Sequence, residues 1–167
     1  MIIFITGGER SGKSSYAQSL ALKFSQRPVY LATSKVWDDD FAERVKRHRN
    51  ERDERWTTIE EQFALSEVLP PVNTVVIDCV TLWLTNFYSK LKGDRDMVVD
   101  AAKKEFDRMS SYNGNLIIIS NELGMGLHAS TKTGRDFVEA QGWVNQYIAN
   151  QADEVYFMIS GLPMKVK

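Results

Sequence analysis

The chain has a single cysteine, Cys79, among its 167 residues. No internal disulfide and no cysteine-built zinc site can therefore form, which accords with a reducing compartment. Neither sign of charge dominates: 21 Lys+Arg stand against 22 Asp+Glu. That balance removes the global basic field expected of a DNA- or RNA-binding protein, and also the acidic tail of a solvating one. No window approaches the roughly 18 consecutive apolar residues of a membrane span. The opening, Met1 to Ser14, is apolar for only a few residues before glycines and charges intervene. It lacks the basic start and long apolar stretch of a signal peptide. No internal repeat or low-complexity stretch is present. What remains is a chain 43% hydrophobic, enough for one compact domain and short for two, read as soluble and cytoplasmic.

Five short apolar runs are continuous rather than alternating, as buried parallel strands are. They are Ile2 to Thr6, Val29 to Ala32, Thr74 to Asp78, Leu116 to Ser120 and Val155 to Ser160. Segments of helical character lie between them. Lys13 to Ser25 is one, and Asp39 to about Glu54 is a charged second. Arg95 to about Ser111 should turn Met97, Ala101, Phe106 and Met109 inward; Thr133 to about Gln151 should turn in Phe137, Val144 and Ile148. Strands alternating with helices predict an α/β fold, a mostly parallel sheet covered by helices on both faces. Pro70-Pro71 marks a turn into the third strand and Lys92-Gly93-Asp94 a surface loop.

Gly7-Gly8-Glu9-Arg10-Ser11-Gly12-Lys13-Ser14 satisfies G-x-x-x-x-G-K-[ST] in full, between an apolar strand and a helix. Glycines let the backbone curl until successive N–H groups face a phosphate, and the following helix adds the positive end of its dipole. In this motif the lysine reaches the β and γ phosphates and the Ser14 hydroxyl ligates Mg²⁺. Arg10 either adds a phosphate contact or points to solvent. Val75-Val76-Ile77-Asp78 has the form of a strand delivering an acidic Mg²⁺ ligand to the sheet edge. Alternatively, Asp78 caps a helix starting near Thr81.

The segment from Asp38 to Arg52 spaces Arg44, His48 and Arg52 at i, i+4 and i+8, one face of a helix. Cations around one imidazole suit a polyphosphate and would keep the histidine neutral, hence nucleophilic. A solvated charged helix with an incidental His48 accounts for the same residues. His128 sits in a glycine-rich loop.

These blocks together resemble the bifunctional adenosylcobinamide kinase / adenosylcobinamide-phosphate guanylyltransferase family. The glycine loop, Tyr30-Leu31-Ala32-Thr33, and the Arg44, His48, Arg49, Arg52, Trp56, Glu60 series carry the likeness, as does Asp78-Cys79-Val80-Thr81-Leu82-Trp83-Leu84-Thr85-Asn86. So do Ser120-Asn121-Glu122-Leu123-Gly124-Met125-Gly126, Gly142 with Asn145 and Gln146, and Gly161-Leu162-Pro163. The resemblance implies a RecA-like P-loop fold, in members that can form homotrimers. It implies phosphorylation of the adenosylcobinamide hydroxyl by ATP or GTP, then transfer of GMP from GTP to that phosphate through a GMP-histidine. His48 occupies the matching position, so His48 and Lys13 are its catalytic residues. Its guanine-nucleotide contacts fall on Gly7, Gly8, Glu9, Arg10, Ser11, Gly12, Lys13 and Ser14, and on Ala32, Thr33 and Ser34. They continue on Arg49, Asn50, Glu51 and Arg52, and on Glu60 and Asp78, with Ser14 and Asp78 holding Mg²⁺. After Gly126 the chain departs from the family pattern, reading Leu127-His128-Ala129 where an aliphatic pair and a proline are usual. Two other readings stand beside this one: a small-molecule kinase without a covalent step, and a regulatory nucleotide-binding ATPase.

Overall fold

Alternation along each strand divides the core in two. In β1 (Ile2–Gly7), Ile3 and Ile5 point to one face of the sheet and Ile2 and Phe4 to the other. Both faces are covered, which is why these strands read as unbroken apolar runs. The computed structural model describes residues 1–34 and 52–167. The expected helix from Asp39 lies outside them up to position 51; its remaining residues, 52–54, form a bend and a turn instead.

The described residues form a seven-stranded sheet of order β3-β2-β4-β5-β1-β6-β7. Its other strands are β2 (Val29–Ala32), β3 (Thr57–Glu60), β4 (Thr74–Asp78), β5 (Asn115–Asn121), β6 (Glu154–Ile159) and β7 (Leu162–Lys165). All neighbours are parallel except β6 and β7, which form an antiparallel hairpin. Two strands were not anticipated. β3 and β7 have only four residues each and lie at the two sheet edges, β7 exposed throughout and β3 only half-buried at its middle, so neither carries a continuous apolar run. The expected strand through Ser160 ends at Ile159, because Ser160 and Gly161 form the hairpin turn with φ of 49° and 87°.

Helix α1 (Lys13–Phe24) covers the Ile3/Ile5 face, burying Ala17, Leu20 and Ala21. The other face carries α2 (Val80–Lys90), α3 (Arg95–Ser110) and α4 (Lys132–Gln151). Asp94 caps α3, its Oδ1 accepting from the Met97 N–H at 3.0 Å, and Thr131 Oγ1 caps α4 through Gly134 N–H at 3.0 Å. Met97 itself is a correction: it is 53% exposed. The inward stripe of α3 instead runs through Val98, Val99, Ala102, Phe106 and Met109. Stepping back from Phe106 by helical turns reaches 102 and then 98–99, not 97. Among the described residues, Trp83, Phe4 and Phe106 are the bulkiest fully buried side chains, each contributing roughly 1.5–3 kcal/mol by leaving water. No helix among the described residues is long and apolar enough to cross a membrane.

Register sets the functional geography. Gly7 pairs with Asn121, Ala32 with both Asp78 and Glu60, so the glycine loop, Asp78, Glu60 and the end of β5 share the C-terminal edge of the sheet. In open parallel sheets that edge is where ligands bind.

Candidate nucleotide site

The loop after β1 has the conformation that its glycines permit. Gly12 is left-handed (φ 89°) and opens α1, and Arg10 also has a positive φ of 58°. At Gly7 (φ 154°), a Cβ would fall 2.7 Å from the Met158 carbonyl oxygen and 2.8 Å from Ser11 Oγ, so a larger residue cannot enter without shifting β6. Tyr16 N–H donates to the Gly12 carbonyl at 3.0 Å, the first bond of α1. No acidic side chain lies in that helix's first turn, leaving its amide end electropositive.

Lys13 is 8% exposed. Its Nζ folds back over the loop, donating to the Gly8 carbonyl at 2.6 Å and to Ser11 Oγ at 3.4 Å. Burial pulls its pKa below the ordinary lysine range, with Cys79, Asp78 and Glu9 acting in the opposite direction. Arg10 and Glu9 are exposed on the outer turn of the loop.

Strand β5 separates β1 from β4, yet α1 packs across β1, β5 and β4 and so carries Ser14 to the end of β4. There Ser14 Oγ donates to Asp78 Oδ2 at 2.9 Å. The helix-cap alternative for Asp78 is not what forms: Cys79 occupies the N-cap of α2, and no side chain caps that helix. A second donor, the Tyr30 hydroxyl, binds the same Asp78 oxygen. Burial, then the Asp78 charge, hold the phenol protonated far above its usual range. Tyr30 was not among the expected site residues; its bond to Asp78 depends on β2 pairing with β4.

Thr33 is completely buried and works on the same strand end. Its hydroxyl donates to the Cys79 carbonyl at 2.8 Å and accepts the Cys79 N–H at 2.9 Å, while its N–H donates to the Asp78 carbonyl at 3.1 Å. Asn86 Nδ2 then binds the Thr33 carbonyl at 2.7 Å. Thr33, expected as a nucleotide contact, thus clamps the backbone that carries Asp78. Ala32 and Ser34 flank it, half-buried at the sheet edge, and Glu60 is exposed at the end of β3. Burial lifts the Cys79 thiol to about 12, so it stays protonated and unreactive.

Arg52 stacks its guanidinium 3.7 Å from the Tyr30 ring centroid. Trp56 meets the same ring edge-on, with centroids 6.1 Å apart. His48, Arg49, Asn50 and Glu51 lie outside the described residues. On the far side of the loop, Glu122 N–H donates to the Gly7 carbonyl at 2.9 Å. Beneath it, buried Ser120, Gln141 and Asn145 form a hydrogen-bonded cluster, and Asn145 Nδ2 holds the Asn121 carbonyl at 3.1 Å. Among the described residues, no three His, Cys, Asp or Glu side chains group into a metal cage. A hydroxyl and one carboxylate beside an amide-lined loop can instead share a cation with polyphosphate oxygens.

Residues 3–166 match the family described as "Cobinamide kinase / cobinamide phosphate guanyltransferase". The "Bifunctional adenosylcobalamin biosynthesis protein CobU" of Escherichia coli is 34% identical, with all of both chains covered. CobP of Pseudomonas aeruginosa, described in the same words, is also 34% identical over 98% of this chain and 95% of its own. Among solved structures, a type III secretion ATPase, EscN of enteropathogenic E. coli, superposes with TM-score 0.59 at 11% identity, covering 95% of this chain and 43% of that one. The flagellar accessory protein FlaH of Methanocaldococcus jannaschii gives TM-score 0.52 at 16% identity, covering 99% and 77%. Likenesses this distant establish the shared fold only.

Proposed function

This chain belongs to the cobinamide kinase / cobinamide phosphate guanyltransferase family, and we propose that it performs both transfers on adenosylcobinamide at the C-terminal edge of its sheet. The observation that carries this is the meeting of Ser14 with Asp78 at 2.9 Å beside the glycine loop. Two hard oxygens at that spacing fit Mg²⁺, which keeps few protein ligands and takes the rest from water and phosphate. Bound there, Mg²⁺ would offset charge on the phosphate oxygens.

In the kinase half-reaction, the corrinoid hydroxyl oxygen attacks the γ-phosphorus of ATP or GTP. The bond to the β–γ bridging oxygen breaks and the nucleoside diphosphate leaves. The loop amides and Lys13 hold the departing charge. Glu122, tethered to Gly7 through its own N–H, is the carboxylate we assign to the hydroxyl proton. In the transferase half-reaction, His48 attacks the α-phosphorus of GTP, the α–β bond breaks, and diphosphate leaves into the loop. A phosphate oxygen of the corrinoid then attacks the histidine-bound GMP. The P–N bond breaks, His48 is regenerated, and adenosylcobinamide-GDP is released. Dividing one displacement into two avoids bringing two polyanions together at once. Support for His48 comes from Arg52, four residues further along, which stacks on the Tyr30 that binds Asp78.

The residues assigned to the nucleotide are Gly7 to Ser14, Ala32 to Ser34, Arg49 to Arg52, Glu60 and Asp78, with Thr33 acting through the Asp78 backbone. Exposed apolar side chains on β7, Leu162 and Met164 among them, fit the homotrimer that the family resemblance implies. The single buried, protonated thiol suits the cytoplasm.

Mass analysis of products from adenosylcobinamide, GTP and Mg²⁺ tests the whole reading. The expected outcome is a corrinoid heavier by one phosphate, followed by one heavier by a further GMP. Phosphate gain alone would favour a kinase without the covalent step, and GTP hydrolysis with an unchanged corrinoid would sink both. Tyr30→Phe tests the Asp78 arrangement. Losing a charged-group hydrogen bond should raise the Mg²⁺ concentration for half-maximal turnover about tenfold and lower the melting temperature by a few degrees. An unaltered Mg²⁺ dependence would remove Tyr30 from the site.

A further inference from the structure

The phosphate loop is held from outside at two points, both on one hairpin. Its first residue, Gly7, lies against the Met158 carbonyl of β6, close enough that a Cβ would stand 2.7 Å away. Its far end meets the tip of the same hairpin. Gly161 N–H donates to the Ser11 carbonyl at 3.0 Å. A Cβ on Gly12 would fall 3.1 Å from the Gly161 Cα, so the two backbones touch where neither has a side chain. The tip presents its N–H this way because Ser160 and Gly161 both have positive φ, 49° and 87°, the two-residue turn that joins Ile159 to Leu162.

A trans peptide carries its C=O and its N–H on opposite sides. Pinning the Ser11 carbonyl outward onto Gly161 therefore turns the N–H of the same peptide, that of Gly12, inward to the concave side of the loop. We propose that the Ser160–Gly161 turn is a positioning element for the nucleotide phosphates, with Gly161 orienting the Ser11–Gly12 peptide so that its N–H faces the bound anion. This rests on the phosphate-loop reading given above, and adds to it a residue from the opposite end of the chain. The Gly161 Cβ position is itself open, with no atom within 4 Å. Substitution there acts through backbone conformation rather than collision.

The experiment is a Gly161 series assayed for nucleotide KM, corrinoid KM, kcat and melting temperature. In Gly161→Val the turn leaves its positive φ, and nucleotide KM should rise about tenfold while corrinoid KM stays put. Gly161→Asn, which keeps the N–H and tolerates the left-handed region, should stay within about twofold of the parent. A folded Gly161→Val with unchanged nucleotide KM overturns the proposal, as does an equal rise in both KM values. Amide hydrogen exchange on the unaltered protein serves if Gly161→Val does not fold. The Gly161 N–H should be protected and become more so with GTP and Mg²⁺; exchange as fast as free amides in both conditions overturns the idea. Lys13→Ala separates the two claims. If it leaves kcat/KM for nucleotide intact, the phosphate-loop reading itself is at fault; if it lowers kcat/KM while the Gly161 series leaves nucleotide KM unchanged, only the hairpin's role is lost.

Discussion

Lys13→Ala is expected to lower kcat/KM for nucleotide about 10²–10³-fold in both half-reactions, the scale seen when a preorganised donor to developing charge is removed. The loss should fall on turnover more than on folding. Lys13 Nζ is bonded to the Gly8 carbonyl and Ser11 Oγ, and the half-buried Gly8 can exchange that donor for water. Lys13→Arg should not restore activity, because a planar, larger guanidinium does not fit the place of a compact ammonium. Burial places the Lys13 pKa below its usual 10.5. The alkaline limb of the kcat/KM profile, which reports the free enzyme, should therefore lie below the ordinary lysine range and disappear in Lys13→Ala. Steady-state kinetics with ATP and GTP, alongside thermal unfolding, provide the check. A decrease of less than about tenfold would leave the loop without its principal cation.

His48→Ala should abolish covalent labelling of the protein by α-labelled GTP and with it formation of adenosylcobinamide-GDP, while kinase turnover persists. The two outcomes part because only the transferase step uses an imidazole as nucleophile. Label on the parent protein should be labile to acid and stable to alkali, the behaviour of a phosphorus–nitrogen bond. Persisting acid-labile label on His48→Ala would remove His48 from the covalent step. Loss of kinase turnover to the same degree would mean that His48 serves both reactions as a phosphate contact. The dissection is useful because Lys13 and His48 predict different patterns: one variant loses everything, the other loses one half.

The parts of the fold readable in advance were those where a single local pattern is decisive. β2 and β4 run over the expected residues, because a strand covered on both faces must be apolar throughout. The edge strands Thr57–Glu60 and Leu162–Lys165 escaped, since a short, exposed strand needs no such run. Met97 was misplaced because one residue along a helix turns a side chain by 100°, which takes it from the sheet to solvent. In the site, the loop was legible as a contiguous motif. Asp78 was read as a cation ligand, with a helix cap as its alternative. Tyr30, Asn86 and Gly161 lie in blocks that carry the family resemblance, but nothing in their neighbouring residues marked them as part of the site.

From the chain alone came the loop's backbone demands and its charge. Glycines at 7 and 12 with Lys13 and Ser14 dictate an anion cradle wherever the strand and helix are placed, because the requirement is met within eight consecutive residues. The tertiary structure decided which groups surround it. Crossing of α1 over β5 brings Ser14 to Asp78, pairing of β2 with β4 sets Tyr30 on the same carboxylate oxygen, and the β6–β7 turn meets Ser11 and Gly12 from outside. Such contacts join residues far apart in sequence, and sheet order, rather than any neighbouring residue, determines whether they form.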